Sequence, residues 1–309
     1  GKGRDLEDVV AKYVRAGAIA AEVRDSVVEV VGEGVKVLDI CEWVEGRIRK
    51  LGGKPAFPCN VSVNEVAAHY TSPPGDESTI PPGALVKVDI GVHVDGYIAD
   101  TAITICLDPA KEKLVRAAEA GLKAALKALR PNVRISHISS AIEKAIKAHG
   151  CKPISNLTGH SLARYTIHAG TTIPNVSFHG LKRLRPGEAY AIEPFVTEAW
   201  AAGFVIERPQ ATIFRLLKPT AKGKKPSRLV KTIYEKFRTL PFAERWLWRL
   251  VPRRKYEVVW RRLLEEGVVM GYPVFVEKSG GPVAQFEHTV LVLEDRCVIT
   301  TLSEGRAPP

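Results

Sequence analysis

Residues 84–106 read Ala-Leu-Val-Lys-Val-Asp-Ile-Gly-Val-His-Val-Asp-Gly-Tyr-Ile-Ala-Asp-Thr-Ala-Ile-Thr-Ile-Cys, two apolar runs joined by Asp95-Gly96. Asp-Gly between two β-rich runs is the chemistry of a type I′ hairpin turn, which needs positive φ at both central residues. With that turn fixed, Val94 faces Tyr97, and counting outward Gly91 faces Asp100. Residues directly opposite project to one face, as do residues two apart on a strand. Asp89 and Asp100 therefore share a face as diagonal neighbours, with Cα atoms roughly 7–8 Å apart in an unbulged ladder. The flanking Leu85, Val86, Val88, Ile90, Ile98, Ala102 and Ile103 are those of a largely buried hairpin.

Buried carboxylates require a compensating charge, because an unpaired one costs several kcal/mol or more. Lys87 lies on the same face, but one ammonium does not neutralise two aspartates. A metal ion meets the need better; a solvent-facing hairpin is the alternative. Three more residues offer similar chemistry. Glu193 follows the apolar run of a strand expected over 189–197, Glu287 sits inside one expected over 283–293, and His160 follows Gly159 in an expected loop. Singly, each is more simply a surface carboxylate or a structural histidine. Together, two Asp, two Glu and one His make a hard, oxygen-rich set suited to divalent Co, Mn, Fe or Zn. Four carboxylates balance two such cations, and two metals roughly 3.5–4 Å apart can share a water and make it a hydroxide near neutral pH. That is machinery for amide hydrolysis.

Around this centre the chain alternates helix pairs with antiparallel strands, an α+β pattern. Apolar periodicity predicts helices over 5–31, 37–50, 109–129 and 135–148. Residues 208–267 turn basic and helical, and read as an inserted helical subdomain between catalytic segments 1–207 and 268–309. His137 and His149 fall on helix surfaces, His288 points away from Glu287 by strand alternation, and His93 and His179 receive no role.

The formal net charge of +11 favours an anionic partner such as RNA, or is a solvated basic surface. Five cysteines without a CxxC pair argue against a zinc finger or disulfide framework. No apolar run reaches the roughly 20 residues of a membrane span, and the first residues lack a signal-peptide core, so a cytoplasmic protein is expected.

Five stretches carry a family resemblance: Val-Asn-Glu-Val-Ala-Ala-His-Tyr-Thr (63–71), the hairpin core (88–102), Gly-His-Ser-Leu-Ala-Arg-Tyr-Thr-Ile-His-Ala-Gly (159–170), Ala-Ile-Glu-Pro (191–194) and Ala-Gln-Phe-Glu-His-Thr (284–289). In content and order the sequence resembles the methionine aminopeptidases, type 2. The basic insert is similar to the helical subdomain that sets type 2 apart. The resemblance implies a pita-bread (creatinase/aminopeptidase) fold with a pseudo-two-fold antiparallel sheet core, and release of N-terminal methionine before a small second residue. It implies two divalent cations, with Asp89 a terminal ligand of one, Asp100 and Glu287 bridging, and His160 and Glu193 completing the other. It further implies that His69 and His168 bind substrate and stabilise the tetrahedral intermediate, and that Glu193 shuttles a proton. Phe57, Ile167 and Tyr272 match positions walling the methionine pocket. The partners implied are nascent polypeptide N-termini, acted on by a monomer, with no membrane. Contact of the basic insert (Lys222, Lys224, Lys225, Arg228, Arg253, Arg254, Arg261, Arg262) with ribosomal RNA is a further expectation. The alternatives are an X-Pro dipeptidase or aminopeptidase of this fold, and a non-catalytic RNA- or ribosome-binding protein built on it.

Overall fold

The computed structural model describes residues 2–218 and 225–305. The first half starts with α1 (Lys2–Val27) and α2 (Val37–Lys50), followed by β1 (Lys54–Pro55), β2 (Asn60–Val63), β3 (Val66–Ala68), β4 (Leu85–Val94) and β5 (Tyr97–Cys106). The β4–β5 ladder runs without a register shift from Val94↔Tyr97 through Gly91↔Asp100 and Asp89↔Ala102 to Leu85↔Cys106. Asp95 and Gly96 both have positive φ, as the turn chemistry demands. Nearly every residue of β4 is buried, so the hairpin has no solvent face. Helices α1 and α2 cover it through Ala16, Val23, Val27, Ile40, Val44 and Ile48, packed on Val86, Val88, Ile90 and Val92. Helix α1 stops at Val27, short of the expected Val31; residues 28–30 form a turn before the glycine pair Gly32 and Gly34.

The second half repeats the plan. Helices α3 (Glu112–Ala128) and α4 (Ile135–Ala148) precede β6 (Cys151–Pro153), β7 (Thr158–Leu162), β8 (Thr172–Pro174), β9 (Ala189–Ile192) and β10 (Phe195–Glu198). Leu114, Ala118, Ile138, Ile142 and Ile146 pack on Ile192, Val196, Ala284 and Val290 to make a second core. Two apolar cores, each a helix pair on antiparallel strands, form the α+β pita-bread architecture.

Two expected strands are broken. The run over 189–197 splits at Glu193-Pro194 into β9 and β10, which belong to different sheets. Proline removes a ladder donor, so a central strand does not continue through it. The run over 283–293 splits at Phe286-Glu287 into β14 (Val283–Gln285) and β15 (His288–Val292). The two broken strands are antiparallel neighbours, with Phe195↔Gln285 on one side of the break and His288↔Ile192 on the other. Both glutamates thus stand at the gap where two sheets part.

The region after residue 205 is less helical than its sequence suggests. It opens with the twelve-residue strand β11 (Val205–Leu216), paired with β13 (Val269–Glu277). Short β12 (Phe242–Ala243) covers β11 only at Ile213 and Phe214. The helices here are α5 (Arg228–Phe237), α6 (Glu244–Leu247) and α7 (Arg253–Glu265). The Ser227 hydroxyl caps α5 by accepting from the Val230 N–H at 3.2 Å. They close over Phe214 and Phe242 with Leu229, Ile233, Leu247 and Trp260. Lys222 and Lys224 lie outside the described residues. Among the described residues, no helix is long and apolar enough to cross a membrane.

Candidate metal centre

Asp100, His160, Glu193 and Glu287 each present a ligand atom, and these atoms lie within 4.8 Å of one another. They come from β5, β7 and the two strand breaks. Asp100, His160 and Glu287 are buried. Asp89, diagonal to Asp100 on the hairpin, lines a common cavity with Asp100, His160 and Glu193. All five residues expected as metal ligands therefore converge.

The backbone of β5 holds the cluster together. Glu287 N–H donates to the Ala102 carbonyl at 3.1 Å, and the Thr101 hydroxyl donates to the Glu287 carbonyl at 2.7 Å. Asp100 N–H donates to Thr289 Oγ1 at 2.8 Å, and Thr104 exchanges hydrogen bonds with the Gln285 backbone at 2.7 Å in both directions. Threonine hydroxyls thus satisfy peptide groups that the broken ladder leaves open. The Gln285 amide donates to Asp89 Oδ2 at 3.1 Å and fixes that carboxylate. None of these partners was singled out in the sequence.

His160 is on strand β7, not in the loop expected from Gly159. The glycine serves close strand packing instead: a Cβ there would meet the Ala191 carbonyl oxygen at 2.3 Å. Gly91 plays a similar part, since a Cβ would meet the Phe57 ring at 2.3 Å. Its absence lets Phe57 lie against the hairpin beside the aspartates.

The cluster is short of positive charge and of donors. Asp89 Oδ1, Asp100 Oδ1, His160 Nδ1 and both Glu287 carboxylate oxygens are buried with no hydrogen-bond partner. His160 Nε2 reaches Glu193 Oε2 at 3.1 Å and Asp100 Oδ2 at 3.5 Å. Burial disfavours the imidazolium, yet its hydrogen bonds to the Asp100 and Glu193 carboxylates outweigh it and lift the His160 pKa to about 10. Burial and the neighbouring carboxylates push Asp89 and Glu287 well above the ordinary range. Glu193 goes the other way: burial opposes its charge, but the neighbouring Glu287 carboxyl and the His160 imidazole hold it below the usual value. Four orphaned carboxylate oxygens, in a cluster where Asp100, His160, Glu193 and Glu287 bring ligand atoms within 4.8 Å of one another, fit divalent cations.

The cavity of about 330 Å³ that opens onto this centre is lined by Phe57, Ile167, Tyr272, His69 and His168, as expected. Phe195, Phe275, Ile213, Leu157, Pro241 and Asn60 supply the walls that the sequence left unassigned. His69 has φ +67°, and its ring packs on Phe275 at 4.8 Å and Tyr272 at 5.6 Å. Burial pulls the His69 pKa down to about 4, so the ring is neutral at neutral pH. His168 is exposed and its ring packs on His160 at 4.4 Å. The remaining histidines are elsewhere. His93 accepts from Gly96 N–H and serves the turn, His288 bonds Thr301, and His137, His149 and His179 are exposed.

Residues 11–294 match the model of metallopeptidase family M24. The chain is 43% identical over 302 residues to a methionine aminopeptidase of Methanothermobacter thermautotrophicus, covering 95% of this chain and 99% of that one. It is 45% identical over 290 residues to a methionine aminopeptidase of Thermococcus onnurineus, covering 93% and 98%. Among solved structures, a thermophilic Arx1 superposes with a TM-score of 0.81 at 22% identity, covering 97% of this chain and 92% of that one. Methionine aminopeptidase of Thermotoga maritima superposes at 0.67 with 24% identity, covering 95% and 96%. The structural likenesses carry the fold, and the family match and close relatives carry the kinship: the chain belongs to metallopeptidase family M24.

Proposed function

We infer that this chain is a metal-dependent aminopeptidase that removes the N-terminal methionine from polypeptides whose second residue is small. One observation carries the reading: orphaned carboxylate and imidazole atoms converge at the wall of an apolar, aromatic-lined cavity. Its close relatives bear the name methionine aminopeptidase.

Asp89, Asp100, His160, Glu193 and Glu287 would hold two divalent cations. When bound, such cations supply Lewis acidity toward water and the scissile carbonyl. The protein does the rest. Phe57, Ile167 and Tyr272 receive the thioether side chain through apolar area and soft sulfur–aromatic contact. Neutral His69 offers its ring N–H as a hydrogen-bond donor rather than as a fixed charge, which suits an oxygen that gains charge only in the transition state. His168, at the exposed side, is placed to bind the substrate backbone. Glu193 accepts a proton from the attacking water and delivers it to the leaving amine. Residues 208–267 are proposed as an inserted subdomain of a monomeric cytoplasmic enzyme, with Arg228, Arg253, Arg254, Arg261 and Arg262 available to ribosomal RNA. Such binding would fall steeply with salt, and absent or salt-insensitive cosedimentation with ribosomes would refute it.

The deciding experiment compares Met-Gly-X and Gly-Pro substrates with added Mn or Co, for the wild type, Glu287→Ala and His69→Ala. The methionyl peptide alone should be cleaved, and both variants should lose activity. Cleavage of Gly-Pro instead, or variants as active as wild type, would overturn the assignment.

A further inference from the structure

We propose that the open edge of β11 beside the pocket binds the substrate chain downstream of its methionine, as one short added strand. The proposal rests on the aminopeptidase reading above and extends it from the first residues of the substrate to the chain that follows.

The edge is defined by hydrogen bonds. Lys278 N–H donates to the Phe204 carbonyl at 3.0 Å, and Ile206 pairs with Val276, so residues 204 and 206 turn their peptide groups toward β13. Alternation turns those of Val205 and Glu207 outward. The Val205 groups are taken: its N–H donates to Asn156 Oδ1 at 2.8 Å and its carbonyl accepts from Asn156 Nδ2 at 2.9 Å. The Asn156 amide thus occupies the place of a neighbouring strand. Beyond it that place is open. Strand β12 pairs with β11 only from Ile213 onward, residues 206–210 are all exposed, and no partner exists among the described residues for the outward N–H and carbonyl of Glu207.

This edge borders the pocket. Asn156, Ile213 and Phe275 all line the cavity, and Phe275 is the ladder partner of Glu207. A polypeptide leaving the site along β11 meets the Asn156 amide and then the free peptide groups of Glu207. Charges and proline discourage indiscriminate pairing at sheet edges. Here Glu207, Arg208 and Pro209 stop the docking site after one residue, because Pro209 has no N–H to offer. Main-chain recognition of this kind is blind to side chains. It suits an enzyme that must accept every sequence after the second residue.

The test is the ratio of kcat/KM for a heptapeptide, Met-Ala-Ser-Thr-Ser-Thr-Ser, to that for Met-Ala-Ser, measured on the metal-loaded enzyme. Two backbone hydrogen bonds should make the ratio roughly tenfold. Single N-methylation of the heptapeptide at one position among residues three to six should abolish the gain, while methylation elsewhere in that stretch leaves it. Glu207→Ala should keep the ratio and Glu207→Pro should lose it. A general loss of fold or metal lowers both rates and leaves the ratio alone. A wild-type ratio near one, or a gain indifferent to N-methylation and to Glu207→Pro, would overturn the edge proposal with the aminopeptidase reading intact. No cleavage of either peptide would overturn that reading and this one with it.

Discussion

Two clusters of charge are buried in this molecule, and they are built to opposite rules. At one, Glu45 of α2 accepts from both Arg245 terminal nitrogens at 2.6 and 2.5 Å, from Trp246 Nε1 at 2.9 Å and from Cys59 N–H at 3.0 Å. Both of its oxygens are partnered, and the charge is matched one for one. At the other, four carboxylates share one imidazole, and four of the carboxylate oxygens are buried without partners. The first cluster ties the α6 segment to α2 across 200 residues of sequence. The second makes no sense as cohesion, since a carboxylate buried without a partner costs stability. Satisfied burial is scaffold, and unsatisfied burial is a site prepared for something absent from the chain itself.

The comparison breaks most visibly if both clusters respond alike to the loss of one member. Glu287→Ala should lower kcat/KM by roughly a thousandfold, about 4 kcal/mol of transition-state stabilisation. The metal-free variant should nevertheless be as stable as the metal-free wild type or more so, because a buried carboxylate without a partner has gone. Denaturant unfolding in the presence of chelator gives that stability. With metal at a hundred times its Kd, the wild type should gain about 2.7 kcal/mol and Glu287→Ala much less. A large metal-free destabilisation would assign Glu287 to scaffold.

Arg245→Met should do the reverse. It strands Glu45 and should cost about 3–5 kcal/mol of stability, with kcat per folded molecule near wild type. Loss of turnover without loss of stability would place this ion pair in the catalytic machinery. Between the two stands Gln285, whose amide orients Asp89. Gln285→Ala should raise the metal concentration needed for half-maximal activity, and lower activity roughly 10–100-fold. Unchanged metal dependence would mean that Asp89 holds its position unaided.

The two clusters also differ in how far they could be read from sequence. Asp95-Gly96 fixed the hairpin register, and with it the shared face of Asp89 and Asp100, because turn chemistry acts over two residues. The glutamates were found, but their setting was not. Pro194 announces one strand break, whereas nothing local marks the break at Phe286-Glu287, which depends on Thr101 and Thr104 of a strand about 185 residues away. Gly159 was read as a loop because close strand packing and loop formation ask for the same residue. Most of strand β11 falls inside the 208–267 stretch that reads as helical, because Glu207-Arg208-Pro209-Gln210 interrupts its alternation with exposed residues. The Glu45–Arg245 pair gave no signal at all. Its partners meet only after α6 has folded back over α2, and an isolated charge in a helix reads as surface.

A further buried carboxylate, in neither cluster, sharpens the rule with the smallest effect. Glu277 Oε1 accepts from the N–H groups of Ser279 and Gly281 at 2.9 and 2.8 Å, and Oε2 accepts from Gly203 N–H at 3.0 Å. Among the described residues no cation pairs with it, yet it is satisfied, and it joins the 199–203 turn to the 278–281 turn. Burial alone would raise its pKa, but the Ser279 hydroxyl and these backbone donors lower it below the ordinary value. A depressed folded-state pKa means that the contribution is complete above the unfolded value of about 4.3 and is lost as pH falls through the folded one. Glu277→Gln keeps the shape but turns an amide donor toward backbone donors. It should cost about 2 kcal/mol at pH 7, and the gap to wild type should narrow below about pH 4. Paired denaturation curves from pH 7 downward read it directly. A gap that stays constant or widens in acid would mean that the carboxylate charge contributes nothing there, and that donors alone do not suffice to make a buried carboxylate scaffold.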